Sequence, residues 1–294
     1  MQDDSLVDGE QSGARMERRR LLSGTGATAA GVAVLAAGLV TSAPEARAQA
    51  VNDAAILNFA LNLEYLEAEF YSRAVFGTGL NQQDLTGANQ GSVVGGSMVP
   101  FQTPAIQQYA QEIARDEVNH VRFLRTVLGS NAVGEPNIDL QNSFIALGSV
   151  IGLPNFNPFA SETNFLLGSF IFEDVGVTAY HGAAALVQNK QILTAAAGIL
   201  SVEAYHASEV RSLLYSLGSN VQNITRSIAD VRASLSGAAD DQGVVLNGAA
   251  NIVPTDSNSL AFSRTPRQVL NIVYGAQNAT RGLFFPSGMN GAIR

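Results

Sequence analysis

Three histidines occur in the 294 residues of the chain, and two of them stand three residues after a glutamate. The stretches are EVNH at 117–120 and EAYH at 203–206. Residues three apart on a helix lie on one face, so each stretch presents a carboxylate beside an imidazole. Carboxylate oxygen and imidazole nitrogen together suit iron, manganese and zinc. The chain has no cysteine, which excludes disulfides, zinc–thiolate sites, iron–sulfur clusters and thiol catalysis. Any metal chemistry must come from carboxylates and histidine.

Both stretches lie in long helical patterns. One starts at Thr103-Pro104, proline suiting a first turn, and stops at Gly129; the other runs from about Lys190 to Leu217. Positions 106, 110, 113, 117, 120, 124 and 127 read Ile, Ala, Ile, Glu, His, Leu, Val. Positions 192, 196, 199, 203, 206, 210 and 213 read Ile, Ala, Ile, Glu, His, Val, Leu. Alternating steps of four and three trace the seam of a left-handed bundle. Glu and His thus take core positions, where a carboxylate is costly unless paired or bound to a cation.

Two further helices complete the pattern, one from about Asn52 to Phe76 and one from Ser161 to about Gln188. Their seams read Leu, Leu, Glu, Ala, Tyr, Val through 57–75 and Leu, Phe, Glu, Val, Tyr, Ala through 166–184. Each carries one glutamate, Glu64 or Glu173, with Tyr71 or Tyr180 seven residues on. The chain therefore holds a weak internal repeat of about 110 residues, a Glu–Tyr helix followed by a Glu-x-x-His helix. The short junction near 189 makes the third and fourth helices an antiparallel hairpin. Four carboxylates and two imidazoles, from Glu64, Glu117, His120, Glu173, Glu203 and His206, form the ligand set of a dinuclear site in a four-helix bundle. Two iron ions, or alternatively two manganese ions, would neutralise the four carboxylates. No catalytic residue is expected beyond these ligands.

Other residues near the pattern have milder readings. Glu67, one turn past Glu64, is an alternative ligand; otherwise it and Glu69 form a solvated face. Tyr71 and Tyr180 either bond ligand carboxylates, carry an electron, or are core tyrosines with satisfied hydroxyls. Asp116 could orient a ligating histidine on another helix. His181 falls off the seam and is read as a non-ligand. Glu209 is read as surface charge rather than a carboxylate on the metal's way in, and Arg115, Arg122 and Arg125 as solvated or paired with Asp or Glu.

The stretches LNLEYLEAEFY, RDEVNH, FIFEDVGVTAY and SVEAYH resemble the di-iron signature of the ferritin-like superfamily, over about residues 52–217. RTPRQVLNIVYG and GLFFPSG, with an arginine-rich leader, resemble the subgroup that includes exported bacterial and plant desiccation-related proteins. The resemblance implies the same six ligands, with Glu117 and Glu203 as bridges between the metals. It departs from storage ferritins in its long connections and its extra C-terminal third, so a storage cage is not expected.

The leader lies at the N-terminus. MERRRLLSG at 16–24 places arginines before an apolar run from Leu21 to Val40, followed by APEARAQA at 43–50. This is the layout of a signal peptide, of twin-arginine type, cleaved near residue 49 or 51. A plain Sec signal and an uncleaved anchor are the rivals. An exported chain, periplasmic or extracellular, is expected, with no stable membrane span after cleavage. The net charge of −8 and the absence of a basic patch argue against nucleic acid.

The expected architecture is all-α: residues 1–50 as signal peptide and extension, a ferritin-like four-helix bundle over 51–218 with long connections at 77–103 and 130–160, and a helical and loop extension over 219–294 packing on the bundle. No strand hairpin is expected. The expected partners are the metal ions with oxygen or peroxide, and a homo-oligomer is compatible with the sequence. The expected activity is Fe(II) oxidation or peroxide consumption in stress protection. The alternative is a non-catalytic structural or desiccation-stress protein whose metal site stabilises the bundle. A hydroxylase-type oxidase would need a substrate channel and a reductase partner, for which the sequence gives no argument.

Overall fold

Helix α1 (Asp53–Phe76) begins where the Asn52 side chain accepts a hydrogen bond from the Ala55 amide at 2.8 Å, and ends at Gly77, whose φ of 72° closes the last turn. The structure, a computed structural model, describes residues 52–294, so the leader expected over 1–50 lies outside the described residues. Among the described residues no helix is long and apolar enough to cross a membrane.

After a single turn, α2 (Gln82–Leu85), come α3 (Pro104–Leu128), α4 (Asn142–Val150), α5 (Glu162–Ala184) and α6 (Lys190–Ser216). Ser161 caps α5 and Asn189 caps α6 through their side-chain oxygens. The C-terminal third adds α7 (Ser219–Ser236) and α8 (Pro266–Tyr274), the latter started by a Thr265–Gln268 capping box. The fold is all-α in its architecture, as the sequence implied.

The four long helices divide into two kinds. In α1, 18 of 24 residues are buried, and in α5, 15 of 23; in α6 only 7 of 27 are. Helices apolar on all sides belong inside a structure, and amphipathic ones at its surface. Accordingly α1 and α5 form the centre, α3 packs along α1, α6 packs along α5, and α3 and α6 meet each other only sparsely. Loops and tail cover the outer face of α1: the Tyr65 hydroxyl donates to Asp84 O, and the Asn62 amide donates to Asn290 O.

Three expectations need correction. The stretch 130–160 is not a bare connection, because α4 lies within it. Its NSFIALGSV sequence has no strong polar face, since Phe144 packs into an aromatic cluster with Phe70, Phe172 and Phe284. Short strands are present: β1 (Val93–Val94) pairs in parallel with β2 (Ile138–Asp139), and β3 (Val245–Leu246) forms a hairpin with β4 (Ala249–Ala250). Two-residue strands are too short to leave a period-2 signal. Glu67 and Glu69 are buried rather than solvated.

A chain of buried ion pairs fastens the C-terminal third to the bundle. Asp174 on α5 accepts from Arg211 at 2.8 Å and Arg232 at 2.9 Å. Arg232 continues to Asp241 at 2.8 Å, Asp241 to Arg264 at 2.7 Å, and Arg264 to Asp240 at 2.8 Å. Three guanidinium groups thus meet three carboxylates. Arg211 spends its remaining donors on the carbonyls of Gln242, Gly243 and Asn251, and Arg232 stacks 4.5 Å over the Phe170 ring.

Candidate metal centre

Glu64 on α1, Glu117 and His120 on α3, Glu173 on α5, and Glu203 and His206 on α6 are all buried and converge between the four helices. The structure therefore brings together all six residues singled out in the sequence. Their donor atoms form two overlapping groups. Glu64, Glu117, His120 and Glu203 make one, and Glu117, Glu173 and His206 the other; within each, all donor atoms lie within 4.8 Å of one another. Glu117 belongs to both groups and Glu203 to one, so the geometry favours Glu117 over Glu203 as a bridge.

The contacts are close but are not hydrogen bonds. His120 Nδ1 lies 3.2 Å from Glu64 Oε2, 3.4 Å from Glu117 Oε2 and 3.5 Å from Glu203 Oε1. His206 Nδ1 lies 3.1 Å from Glu117 Oε1 and 3.7 Å from Glu173 Oε2. Ten side-chain polar atoms among the described residues are buried without a hydrogen-bond partner, and eight of them belong to these six side chains. An unsatisfied buried polar atom costs about 1–3 kcal/mol, and such concentration calls for something bound at the shared point. Carboxylates with imidazole nitrogen are the donors that iron and manganese accept. The residues fit a dinuclear centre.

Neighbouring groups hold the donors in place. The Tyr71 hydroxyl on α1 donates to Glu173 on α5, and the Tyr180 hydroxyl on α5 donates to Glu64 on α1. Burial holds both phenols well above their usual range, so they remain donors. Asp116 Oδ2 lies 3.3 Å from His206 Nε2. A proton on Nε2 directs the lone pair of Nδ1 into the cluster. His181 is elsewhere, its Nδ1 3.1 Å from Phe262 O. Arg122 pairs with Asp84 at 3.0 Å, and Arg125 donates to the Tyr65 hydroxyl.

One contributor escaped the sequence reading, and Glu67, there an alternative to Glu64, takes a different place from the one expected. Gly176 on α5 faces the centre: a Cβ there would stand 2.7 Å from Glu203 Oε2 and 3.5 Å from Glu67 Oε1. The missing side chain is what lets the Glu203 carboxylate lie against α5, with Glu67 at ordinary contact distance beside it. Glu67 is thus a fifth buried carboxylate at the edge of the cluster, outside both donor groups. Nothing local in EDVGVTAY marks this glycine as a contact, since the residues it admits lie on other helices.

Protonation in the metal-free chain follows from the same contacts. Burial lifts the Glu64 carboxyl to about 7 and that of Glu173 to about 8. Burial opposes the His206 imidazolium, but Glu173 and Glu117 outweigh it and push the group up to about 10. His120 is likewise raised, by Glu64, Glu117 and Glu203 against its own burial. Burial alone would raise Glu117, yet the two imidazoles hold it below the usual range.

Each raised group binds its proton more tightly folded than unfolded. Its stabilisation is full at low pH and is lost as pH climbs from the unfolded value to the folded one. The windows run from 4.5 to about 7 for Glu64, from 4.5 to about 8 for Glu173, and from 6.5 to about 10 for His206. Glu117 acts oppositely, losing its contribution as pH falls below its unfolded 4.5. Between about pH 6 and 9 the raised groups dominate, so the metal-free chain melts several degrees lower at the alkaline end. Metal-loaded protein, with cations in place of protons, lacks this decline. Thermal melts with and without chelator check it; a metal-free Tm that rises over that range contradicts it.

Comparison with known proteins agrees with this geometry. Residues 52–216 match the family model described as a ferritin-like domain. The chain is 30% identical to the desiccation-related protein PCC13-62 of Craterostigma plantagineum, covering 82% of this chain and 83% of that one. It is 28% identical to the ferritin-like catalase Nec2 of Nesocodon mauritianus, covering 82% and 84%. No solved structure matches.

Proposed function

The chain belongs to the ferritin-like domain family, and from that premise we propose that its centre holds two iron or two manganese ions and disproportionates peroxide. The observation that carries this reading is Glu117, a single carboxylate shared by two donor groups that each contain an imidazole. When bound, the metal pair would supply the electron storage that lets one peroxide be reduced and the next oxidised. The protein's part is to hold and to exclude. Tyr71 and Tyr180 fix the two glutamates of the central helices, and Asp116 fixes the tautomer of His206. The surrounding aliphatics keep bulk water out. Glu67, kept protonated by burial and by Glu203, offers a proton at the edge of the cluster. A relative named a ferritin-like catalase supports the choice of peroxide over Fe(II) as substrate.

A second reading rests on the relative named as desiccation-related: a protective protein whose centre stabilises the bundle without turnover. Oxygen evolution from peroxide, with Fe(II) oxidation measured alongside, decides between them on protein loaded with iron or with manganese. The peroxide reading expects one oxygen molecule for every two peroxides consumed. Fe(II) oxidation without oxygen evolution would replace it with a ferroxidase. No turnover of either kind, from protein with intact helical circular dichroism, would leave the protective role.

A further inference from the structure

The sparse contact between α3 and α6 leaves their seam open, and its two ends differ in chemistry. Toward His206 the seam is acidic. Asp116 lies there, and Glu209, one turn past His206, is lifted above its usual range by burial and by the charge of Glu112 on α3. Toward His120 it is apolar. A groove of about 350 Å³ opens there, lined chiefly by Leu57, Leu124, Tyr180, Ile192, Ala196 and Ile199.

The groove exists because α6 carries alanines, Ala195 and Ala196, where larger aliphatics would close the seam. Its floor is buried, whereas Phe123 and Val127 at the rim are 41% and 43% exposed. The floor abuts the centre. The Tyr180 hydroxyl is spent on Glu64, Leu124 lies one turn past His120, and Ile199 one turn before Glu203. Among the described residues no charged side chain lines the groove, and the only other polar residue on its wall is Gln191.

The geometry points to a binding site for a small uncharged apolar molecule, aromatic or aliphatic, seated on Tyr180 beside the Glu64–His120 edge of the centre. The volume lies in the range of ligand pockets, roughly 300–1,000 Å³, and far exceeds what peroxide needs. Apolar walls hold water poorly and accept apolar guests. A charged ligand would meet no counter-charge and bear its desolvation alone. A second copy of the chain is a poor occupant: two exposed rim side chains fall well short of the ~800 Å² per partner of a stable interface. The inference goes beyond the peroxide reading and does not depend on it, since the groove is shaped by helix packing.

The test is a fluorescence titration of the full chain, metal-free and metal-loaded, with N-phenyl-1-naphthylamine. Its sulfonated counterpart, 8-anilinonaphthalene-1-sulfonate, has the same rings and one negative charge. Saturable binding of the neutral probe at one site per chain is expected in both forms, with the sulfonate at least about tenfold weaker. Ala196→Leu fills the groove and weakens the neutral probe by about tenfold, with circular dichroism unchanged. Phe123→Ser, at the exposed rim where folding is not at stake, weakens it by a smaller factor. Three results overturn the inference: binding that does not saturate, binding indifferent to both substitutions, and equal affinity for the sulfonate. A dimer seen by light scattering that Phe123→Ser dissociates would also overturn it, assigning the groove to an interface. Because binding is read with and without metal, failure here is distinct from failure to consume peroxide.

Discussion

A Glu117→Ala variant is expected to retain less than about a tenth of the metal bound by the unaltered chain, losing both ions together. Glu117 is the one side chain that belongs to both donor groups, with Oε2 3.4 Å from His120 Nδ1 and Oε1 3.1 Å from His206 Nδ1. Its loss removes a donor from each position and leaves two imidazoles facing a gap. His206→Ala touches only one group, so it should keep about one ion per chain. Glu67→Gln should keep both, since Glu67 lies outside both groups. Elemental analysis after dialysis distinguishes these outcomes. Two ions retained in Glu117→Ala would refute the shared-donor geometry, and loss of metal in Glu67→Gln would move Glu67 into the ligand set.

The second large effect lies away from the centre. Asp174→Ala leaves Arg211 and Arg232 buried without the carboxylate they share. Removing one partner of a buried ion pair costs about 3–5 kcal/mol, which for a chain of this size lowers Tm by on the order of 10 °C. The melt belongs on metal-free protein, because Asp174 adjoins Glu173 and a change in metal content would confuse the reading. Asp174→Asn, which keeps an acceptor oxygen, should lose less. A Tm within about 2 °C of the unaltered chain would show that the backbone carbonyls around Arg211 suffice.

The centre was legible because its residues break a rule that sequence alone can enforce. Glu117–His120 and Glu203–His206 occupy seam positions between aliphatics, and Glu64 and Glu173 do the same on the other two helices. Periodicity shows a polar residue on a core stripe without reference to any contact. It could not show that Glu67 is buried, because what encloses it lies on other helices, with Gly176 of α5 beside its carboxylate and Glu203 of α6 near by. Nor could it show Arg211, Arg232 and Arg264 inside the protein. An arginine on a helix, like Arg211 and Arg232, or just before one, like Arg264, reads as solvent-facing until the carboxylates that meet it are placed. Gly176 and α4 were missed for the same reason: what they touch is set by tertiary packing.

The crossed tyrosines bear on the order in which the molecule can be finished. Tyr71 and Glu173 are 102 residues apart, and Glu64 and Tyr180 are 116 apart. On a ribosome adding roughly 5–20 residues per second, the α1 glutamate waits about 6–23 s for the tyrosine that will hold it. For much of that interval α1 has only α3 to pack against, and the face that carries Glu64 toward α5 stays uncovered. It is the segment a holding chaperone would be expected to shield, and the six donors are complete only once α6, in the second half of the chain, has been made.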